Sequence, residues 1–418
     1  MSGSLHWEAD AMTDQTTLQP VAASARIQTL DVLRGVAVLG ILAVNAAAFA
    51  LPMSAAMAPE QSPLPLTGSS AVALWVVEVF FHQKFVTLFS MLFGVSIFLV
   101  GGKRGDQARG RVLRRRLLWL GLFGLIHGLA FWYGDILLLY AWSGLFVMLM
   151  RALPARALIL FGAGATLGLA TLQAATMWLT VNGPEALVDA LSDEAMALAE
   201  GAVFASIAAY RSGWPGALIE NLKAWGLLQS ASLFGYVFAT APLMMLGMGL
   251  FKAGFFHGRM PTRAYVALIA VGGAVLALLG VLEWREVIAG PGVQATGGWA
   301  EVVASYPIFV TLAYASGLIL LTTRGLGWVR RTFAPVGQMA FTNYLTQTLI
   351  MTTLFSMPWG PRLMGRVDYP EQWAIVGGVW ALQLIWSPLW LSRFRMGPLE
   401  WLWRSLSYGR RLPLRREA

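Results

Sequence analysis

Cysteine is absent from this chain of 418 residues. Its absence excludes disulfide bonds, thiolate nucleophiles, and metal or iron–sulfur sites with cysteine ligands. Histidine is scarce: four histidines lie far apart, and no His-x-x-x-His pair exists to begin a zinc site. The sequence therefore predicts a protein without a bound metal.

Charge is also sparse. Only 12% of the residues are charged and 57% are hydrophobic, whereas a soluble domain has about 25% charged residues. No polar stretch is long enough to form a separate domain. The composition therefore predicts one all-α polytopic membrane protein, with most of its chain dissolved in lipid.

Ten apolar runs are long enough to cross a bilayer as helices, since a crossing needs about 17–25 residues. They lie at about 30–51, 85–101, 112–132, 135–151, 156–180, 232–255, 263–283, 303–323, 337–356 and 372–392. The runs at 85–101 and 135–151 are at the short end of this range. We predict about ten transmembrane helices within a bundle over residues 26–396.

The basic residues indicate how the bundle is oriented. With the N-terminus inside, 23 Lys and Arg residues fall in inside segments and six in outside segments. This bias is typical of cytoplasmic loops, so both termini are expected to be cytoplasmic. Because topology explains the net charge of +9, no nucleic-acid partner is needed.

Three segments lie outside the crossings. Residues 1–25 contain no apolar signal-peptide core and are predicted to be a disordered cytoplasmic tail. Residues 181–231 are predicted to be an extracytoplasmic helical insertion. Residues 397–418 are expected to form an amphipathic interfacial helix and a basic tail, with Glu400 and Arg404 paired at i,i+4.

Polar residues inside a crossing usually face the bundle interior. In LDVLRGVAVLGILAVNAAAF, helical spacing places Asp31, Arg34 and Asn45 on one face. We expect the three to line an internal cavity. Alternatively, Asp31 complements the helix N-terminus and pairs with Arg34 at the surface.

The stretch GLIHGLAFWYGDILLLY holds His127 and Asp135 on either side of a tight turn. The hairpin should bring the imidazole and the carboxylate together in a pocket at the outer mouth of the bundle. Two interpretations stay open. The pair is functional, or His127 bonds a backbone carbonyl while Asp135 caps the following helix.

Other polar groups have stronger structural explanations. Asn343 and Gln347 share a helix face, which favours hydrogen bonding between helices over a direct role. Lys84 at a helix end should extend its amine to the membrane surface. Arg114 and Arg115 belong to a basic cluster that suits anionic lipids, although a phosphate-bearing cofactor could use them too.

The chain resembles the YeiB family of bacterial integral membrane proteins, described as domain of unknown function 418. The resemblance covers about residues 26–409. It is carried by LDVLRGVAVLGILAVNAAAF, KFVTLFSMLFG, GLIHGLAFWYGDILLLYAWSGL, GQMAFTNYLTQTLI and FRMGPLEWLWRSLSYG. It implies a multi-pass protein of the bacterial cytoplasmic (inner) membrane. The family residues that map onto this chain make five residues candidates for a substrate site or cavity: Lys84, Tyr140, Asn343, Tyr344 and Gln347.

The first block is also distantly similar to the D-x-x-R-G opening of transmembrane acyltransferases of the heparan-glucosamine acetyltransferase type. Those enzymes carry a reactive histidine just after the first crossing, where this chain has none. The resemblance therefore implies that His127 supplies the imidazole, oriented by Asp135. An acyl-CoA would bind from the cytoplasm beside Arg34 and the arginine cluster, and the acceptor would be a lipid or glycan at the outer face.

A transporter or permease is the alternative. In it, the same His, Asp and Arg residues would form a relay for a small or lipid-like substrate. Many secondary transporters contain inverted repeats, and the absence of a clear repeat favours the enzyme. A lipid-binding or scaffolding membrane protein is a third hypothesis. Membrane lipids are the expected partners, and a homodimer is among the assemblies that the sequence allows.

Overall fold

A computed structural model describes residues 27–57, 62–102, 106–185 and 202–416. The predicted tail at 1–25 and residues 186–201 of the predicted insertion lie outside the described residues. Within these ranges the chain is about 80% helical and forms no β-strand beyond one isolated bridge. The predicted all-α class is confirmed.

Each of the ten predicted apolar runs contains a helix. The helices, in chain order, are α1 (Gln28–Ala50), α2 (Met53–Met57), α3 (Ser69–Phe80), α4 (Lys84–Gly101), α5 (Gln107–Ala130), α6 (Leu137–Met150), α7 (Ala155–Asn182), α8 (Ala202–Ser212), α9 (Trp214–Ala231), α10 (Val237–Lys252), α11 (Thr262–Ala289), α12 (Trp299–Ala304), α13 (Pro307–Thr323), α14 (Gly327–Gln338), α15 (Ala340–Phe355), α16 (Tyr369–Arg393) and α17 (Pro398–Tyr408). A π-helical turn (Ser232–Tyr236) joins α9 to α10.

Length and apolar composition mark the candidate membrane spans. Among the described residues, five segments qualify outright, and a sixth qualifies if α13 and α14 count as one span bent by 120°. α6 and α10 are apolar but shorter. The membrane character of the chain is clear from these helices, while the number of ten crossings stays a prediction.

Charged side chains bond the backbone at two helix ends. The Asp368 carboxylate accepts from the Glu371 backbone N–H, and the Glu371 side chain accepts from the Asp368 N–H, which forms a capping box at α16. At the C-terminal end of α6, the Lys252 amine donates to the carbonyls of Arg151 and Leu153 at 2.7 Å. Such bonds satisfy backbone groups that have no partner within the helix.

α1 lies at the centre of the bundle and packs against α4, α14, α15 and α16. It meets α14 at a backbone crossing between Gly35 and Gly337, where a Cβ on Gly337 would lie 1.8 Å from the Asp31 carbonyl oxygen. Only glycine permits this approach. The crossing fixes the start of α15 beside α1, α5 and α17, where a cavity forms.

Candidate functional site

A cavity of about 480 Å³ lies among α1, α4, α5, α6, α15 and α17. This volume is within the range of small-molecule sites, about 300–1,000 Å³. The walls are mostly apolar, and the charged residues gather toward one end. We call this end the basic end and define it by Arg34, Arg109, Arg116 and Arg404.

The basic end combines four guanidinium groups with two carboxylates, Asp31 and Glu400. Arg34 donates to the Ser96 hydroxyl at 2.9 Å and lies 3.4 Å from the Asp31 carboxylate. The Arg116 guanidinium lies 4.0 Å from the centre of the Trp403 ring. Because guanidinium groups bind phosphate and carboxylate through paired N–H donors, this end suits an anionic group.

The opposite end of the cavity is apolar and is closed by two tyrosines, Tyr140 and Tyr344. The Tyr140 hydroxyl is 2.8 Å from the Ser90 hydroxyl, so its polar atom has a partner within the protein. Phe89 and Phe93 pack beside the Tyr140 ring. The cavity thus joins a basic end to an apolar end in one continuous space.

His127, Asp135 and Thr348 form a buried chain of hydrogen bonds beyond the apolar end. His127 Nδ1 is 2.9 Å from Asp135 Oδ1, and His127 Nε2 is 3.0 Å from Thr348 Oγ1. The side chains of His127 and Asp135 are 3% and 0% exposed. The predicted closeness of the imidazole and the carboxylate is therefore present as a direct contact.

Asp135 is fixed by a second set of bonds, because it also caps α6. Its two oxygens accept from the backbone N–H groups of Leu137 at 3.1 Å and Leu138 at 2.8 Å. A carboxylate held by two backbone donors accepts the third bond from Nδ1–H of His127, which leaves Nε2 as an acceptor for the Thr348 hydroxyl. Asp135 therefore caps a helix, as the structural interpretation predicts, and also contacts the imidazole. The backbone carbonyl predicted as the partner of His127 is wrong, because both ring nitrogens contact side chains. The functional interpretation of the pair stays a prediction.

The surroundings of His127 and Asp135 differ from the pocket that was predicted at the outer mouth of the bundle. His127 is buried and does not line the cavity, which reaches toward it from the basic end instead. The ring of Tyr344 lies between them, with its centroid 5.4 Å from that of His127. The turn that carries Asp135 packs onto α5 at Gly124, so the hairpin closes over the imidazole.

Glu400 and Arg404 do not lie at a membrane surface as an exposed pair. The Glu400 carboxylate is buried and accepts from the Phe341 N–H at 2.8 Å, the Thr342 N–H at 3.0 Å and the Thr342 hydroxyl at 2.5 Å. It therefore caps α15 from a neighbouring helix. Arg404, one turn later on α17, lines the cavity.

Four other predicted residues lie apart from this cavity. Asn45 is partly exposed on α1, so of the predicted stripe only Asp31 and Arg34 line the cavity. Arg114 and Arg115 are exposed on α5, and Arg115 donates to the Leu406 carbonyl at 3.1 Å. Lys84 does not reach toward the surface. Its side chain is buried, and its amine donates to the Glu78 carbonyl at 2.6 Å.

Asn343 and Gln347 belong to a buried amide network that joins α15 to α16 and α1. Asn343 donates to the Val336 carbonyl and the Ser387 hydroxyl, and Gln347 donates to Gln383 at 2.9 Å. Neither residue lines the cavity. Their contacts agree with the predicted hydrogen bonding between helices, and a direct role for either stays untested.

Sequence reasoning did not single out Thr348, and it included Arg109 and Arg116 only as members of the arginine cluster at 109–116. Thr348 lies within the block GQMAFTNYLTQTLI, one turn after Tyr344, but nothing in the sequence indicates that it faces α5. Arg109 and Arg116 lie in the same basic run as the predicted arginines.

Among the described residues, no group of three or more His, Asp or Glu side chains is placed to hold a metal ion.

The fold defines a helical protein with helices long and apolar enough to cross a membrane, and it encloses a cavity that has a basic end and an apolar end. Over 399 residues the chain is 33% identical to YeiB of Escherichia coli (strain K12), covering 91% of this chain and 95% of that protein. The chain belongs to the YeiB family, as its sequence blocks predict.

Other comparisons agree with this membership. YxaH of Bacillus subtilis (strain 168) is 30% identical over 94% of this chain and 97% of its own. A 39.9 kDa protein encoded in the amylase 3′ region of Bacillus acidopullulyticus is 27% identical over 95% of this chain and 98% of its own. The family model described as "Protein of unknown function (DUF418)" matches residues 250–410. No solved structure matches the chain.

Proposed function

We propose that this protein transfers an acyl group from an acyl-CoA, bound in the cavity, to an acceptor at the outer face of the membrane. The observation that carries the proposal is the cavity itself, which has a basic end and an apolar end in one continuous space. A CoA thioester has the same division, since its phosphates are anionic and its acyl chain is apolar.

Charge supports the orientation of the donor. The guanidinium groups of Arg34, Arg109, Arg116 and Arg404 would hold phosphates at the basic end. The acyl chain would then extend along Phe89 and Phe93 toward the tyrosines. In the topology predicted by the basic loops, the basic end faces the cytoplasm, where acyl-CoA is made.

Acyl transfer beyond the apolar end of the cavity would depend on the His127 imidazole. Asp135 holds the His127 ring so that Nε2, which accepts from the Thr348 hydroxyl, is oriented to act as a base, an arrangement that suits general-base catalysis of acyl transfer. The Tyr344 ring would have to turn aside for an acyl group to reach this nitrogen, because it separates the cavity from His127.

Binding and release of CoA test the proposal. Purified protein in nanodiscs should bind palmitoyl-CoA more tightly than CoA or palmitate, because each of these fills only one end. Arg116→Gln should weaken palmitoyl-CoA binding by about 10–100-fold, corresponding to a charge-assisted bond of about 1.5–3 kcal/mol. Arg114→Gln is the matched control, since Arg114 lies on the same helix but is exposed and outside the cavity.

Turnover is measured as CoA thiol released in native membrane lipids, with a thiol reagent that reports CoA alone because the chain has no cysteine. Thiol release that depends on His127 supports the transferase. Wild-type protein that binds no acyl-CoA refutes the proposal and favours the transporter hypothesis.

A further inference from the structure

We propose that Thr348 is the nucleophile of this reaction and carries the acyl group as an ester between donor and acceptor. The inference rests on the proposed acyl transfer and adds a covalent step to it. It starts from the buried chain Thr348–His127–Asp135, in which a hydroxyl, a base and an orienting carboxylate follow one another at 3.0 Å and 2.9 Å. This order defines an activated nucleophile.

The hydroxyl of Thr348 differs from its neighbours on α15. A threonine inside a helix usually donates back to the carbonyl one turn earlier. Thr346 and Thr352 do so at 2.8 Å, to Thr342 and Thr348 respectively. The Thr348 hydroxyl lies 3.4 Å from the Tyr344 carbonyl but 3.0 Å from the imidazole, so its shorter contact is with the base.

The step balances without a further reactant. The Thr348 oxygen attacks the thioester carbonyl while its proton moves to His127 Nε2. The carbon–sulfur bond breaks, the proton passes to the departing sulfur, and free CoA and an acyl-threonine ester result. The acceptor hydroxyl or amine then attacks the ester, His127 takes and returns its proton, and the Thr348 hydroxyl is restored.

Position favours a covalent relay. The cavity lining includes Tyr344, which lies about one helical turn before Thr348 on α15, and Ile136, next to Asp135. Thr348 and His127 are themselves buried, with 2% and 3% exposure. A donor that enters from the basic end and an acceptor from the other side need not occupy the protein together if the acyl group waits on Thr348.

Intact-mass measurement tests the relay directly. Wild-type protein in detergent micelles, incubated with palmitoyl-CoA without membrane lipid or glycan and quenched in acid, should gain the mass of one acyl group. Peptide mapping should place the acyl group on Thr348. The bond should resist neutral hydroxylamine and yield to alkaline hydroxylamine, as an oxygen ester does, and the lack of cysteine excludes a thioester adduct.

Substitutions of Thr348 provide a second test of the covalent step, measured as adduct formation and CoA release. Thr348→Val keeps the shape and removes the hydroxyl, so it should abolish the adduct and lower CoA release by about 10³-fold or more, while Thr348→Ser should keep both. Thr352→Val is the matched control, since Thr352 is equally buried on the same helix and donates only to carbonyls of its own helix. It should retain adduct and turnover.

The outcomes separate the two proposals. An adduct on Thr348, lost in Thr348→Val and kept in Thr348→Ser, supports the relay. Steady CoA release with no adduct, an adduct on another residue, or full turnover in Thr348→Val overturns the relay and leaves the acyltransferase intact. If wild-type protein neither binds palmitoyl-CoA nor releases CoA, both proposals fail.

Discussion

Replacing Glu400 with alanine should destabilise the whole protein, although Glu400 lies on a short helix near the end of the chain. Its carboxylate accepts three hydrogen bonds from the start of α15, two from backbone N–H groups and one from the Thr342 hydroxyl. α15 also carries Tyr344 and Thr348. The substitution therefore removes the contact that positions the helix on which the candidate site depends.

The magnitude follows from the number of donors left without a partner. One buried donor without a partner costs about 1–3 kcal/mol, and losing a helix N-cap costs about 0.5–2 kcal/mol. The three donors are neighbours, so their costs do not add fully, and Glu400 lines the cavity, so water can replace part of the loss. We expect Glu400→Ala to lower the free energy of unfolding by about 2–4 kcal/mol.

Glu400→Gln is the matched control. The glutamine oxygen can accept from both backbone N–H groups, and its amide can donate to the Thr342 hydroxyl, which is able to reverse its role. Only the charge beside the helix N-terminus is lost, at a cost of about 0.3–1 kcal/mol. Unfolding is followed by circular dichroism in mixed detergent micelles. A loss below about 0.5 kcal/mol in Glu400→Ala, the range of surface substitutions, would refute the buried cap.

Three further outcomes are expected. Asp135→Asn replaces an acceptor with a donor, so one backbone N–H at the start of α6 loses its partner; melting in detergent should show a loss of about 1–3 kcal/mol, and unchanged stability would contradict the capping role. Gly337→Ala should destabilise by at least about 1–3 kcal/mol because its Cβ would meet the α1 backbone, whereas Gly273→Ala, with open space around it, should melt like wild type. A cysteine introduced by Ser192→Cys should react with an impermeant thiol reagent in intact cells, and one introduced by Gly105→Cys should not; the reverse pattern would overturn the orientation.

Composition and patterning are enough to predict most of the fold class. A low charged fraction and long apolar runs predict a helical bundle, because a helix of about 20 residues crosses the bilayer with every backbone polar group bonded inside its own segment. Helices accordingly occupy every predicted run. Family membership is also readable, since the blocks around Asp31, Lys84 and His127 occur in a fixed order.

The contact between His127 and Asp135 could be predicted from the sequence because the two residues are close together in the chain. Only a tight turn separates the two residues, so the hairpin of α5 and α6 brings them together without help from the rest of the chain. Thr348 is different, because it lies 221 positions from His127. No periodicity within one helix reports which face of a distant helix it will meet.

The cavity could not be predicted from the sequence for the same reason. Arg34, Arg116 and Arg404 come from three helices, and their arrangement depends on the close crossing of α1 with α14 and on the docking of α17 against α5. The sequence also predicts that Lys84 and Glu400 lie at a membrane surface, and both predictions are wrong because neighbouring helices bury the two side chains. A sequence determines which side chains cost energy when buried, whereas only the packed bundle supplies the carbonyls and N–H groups that make such burial stable.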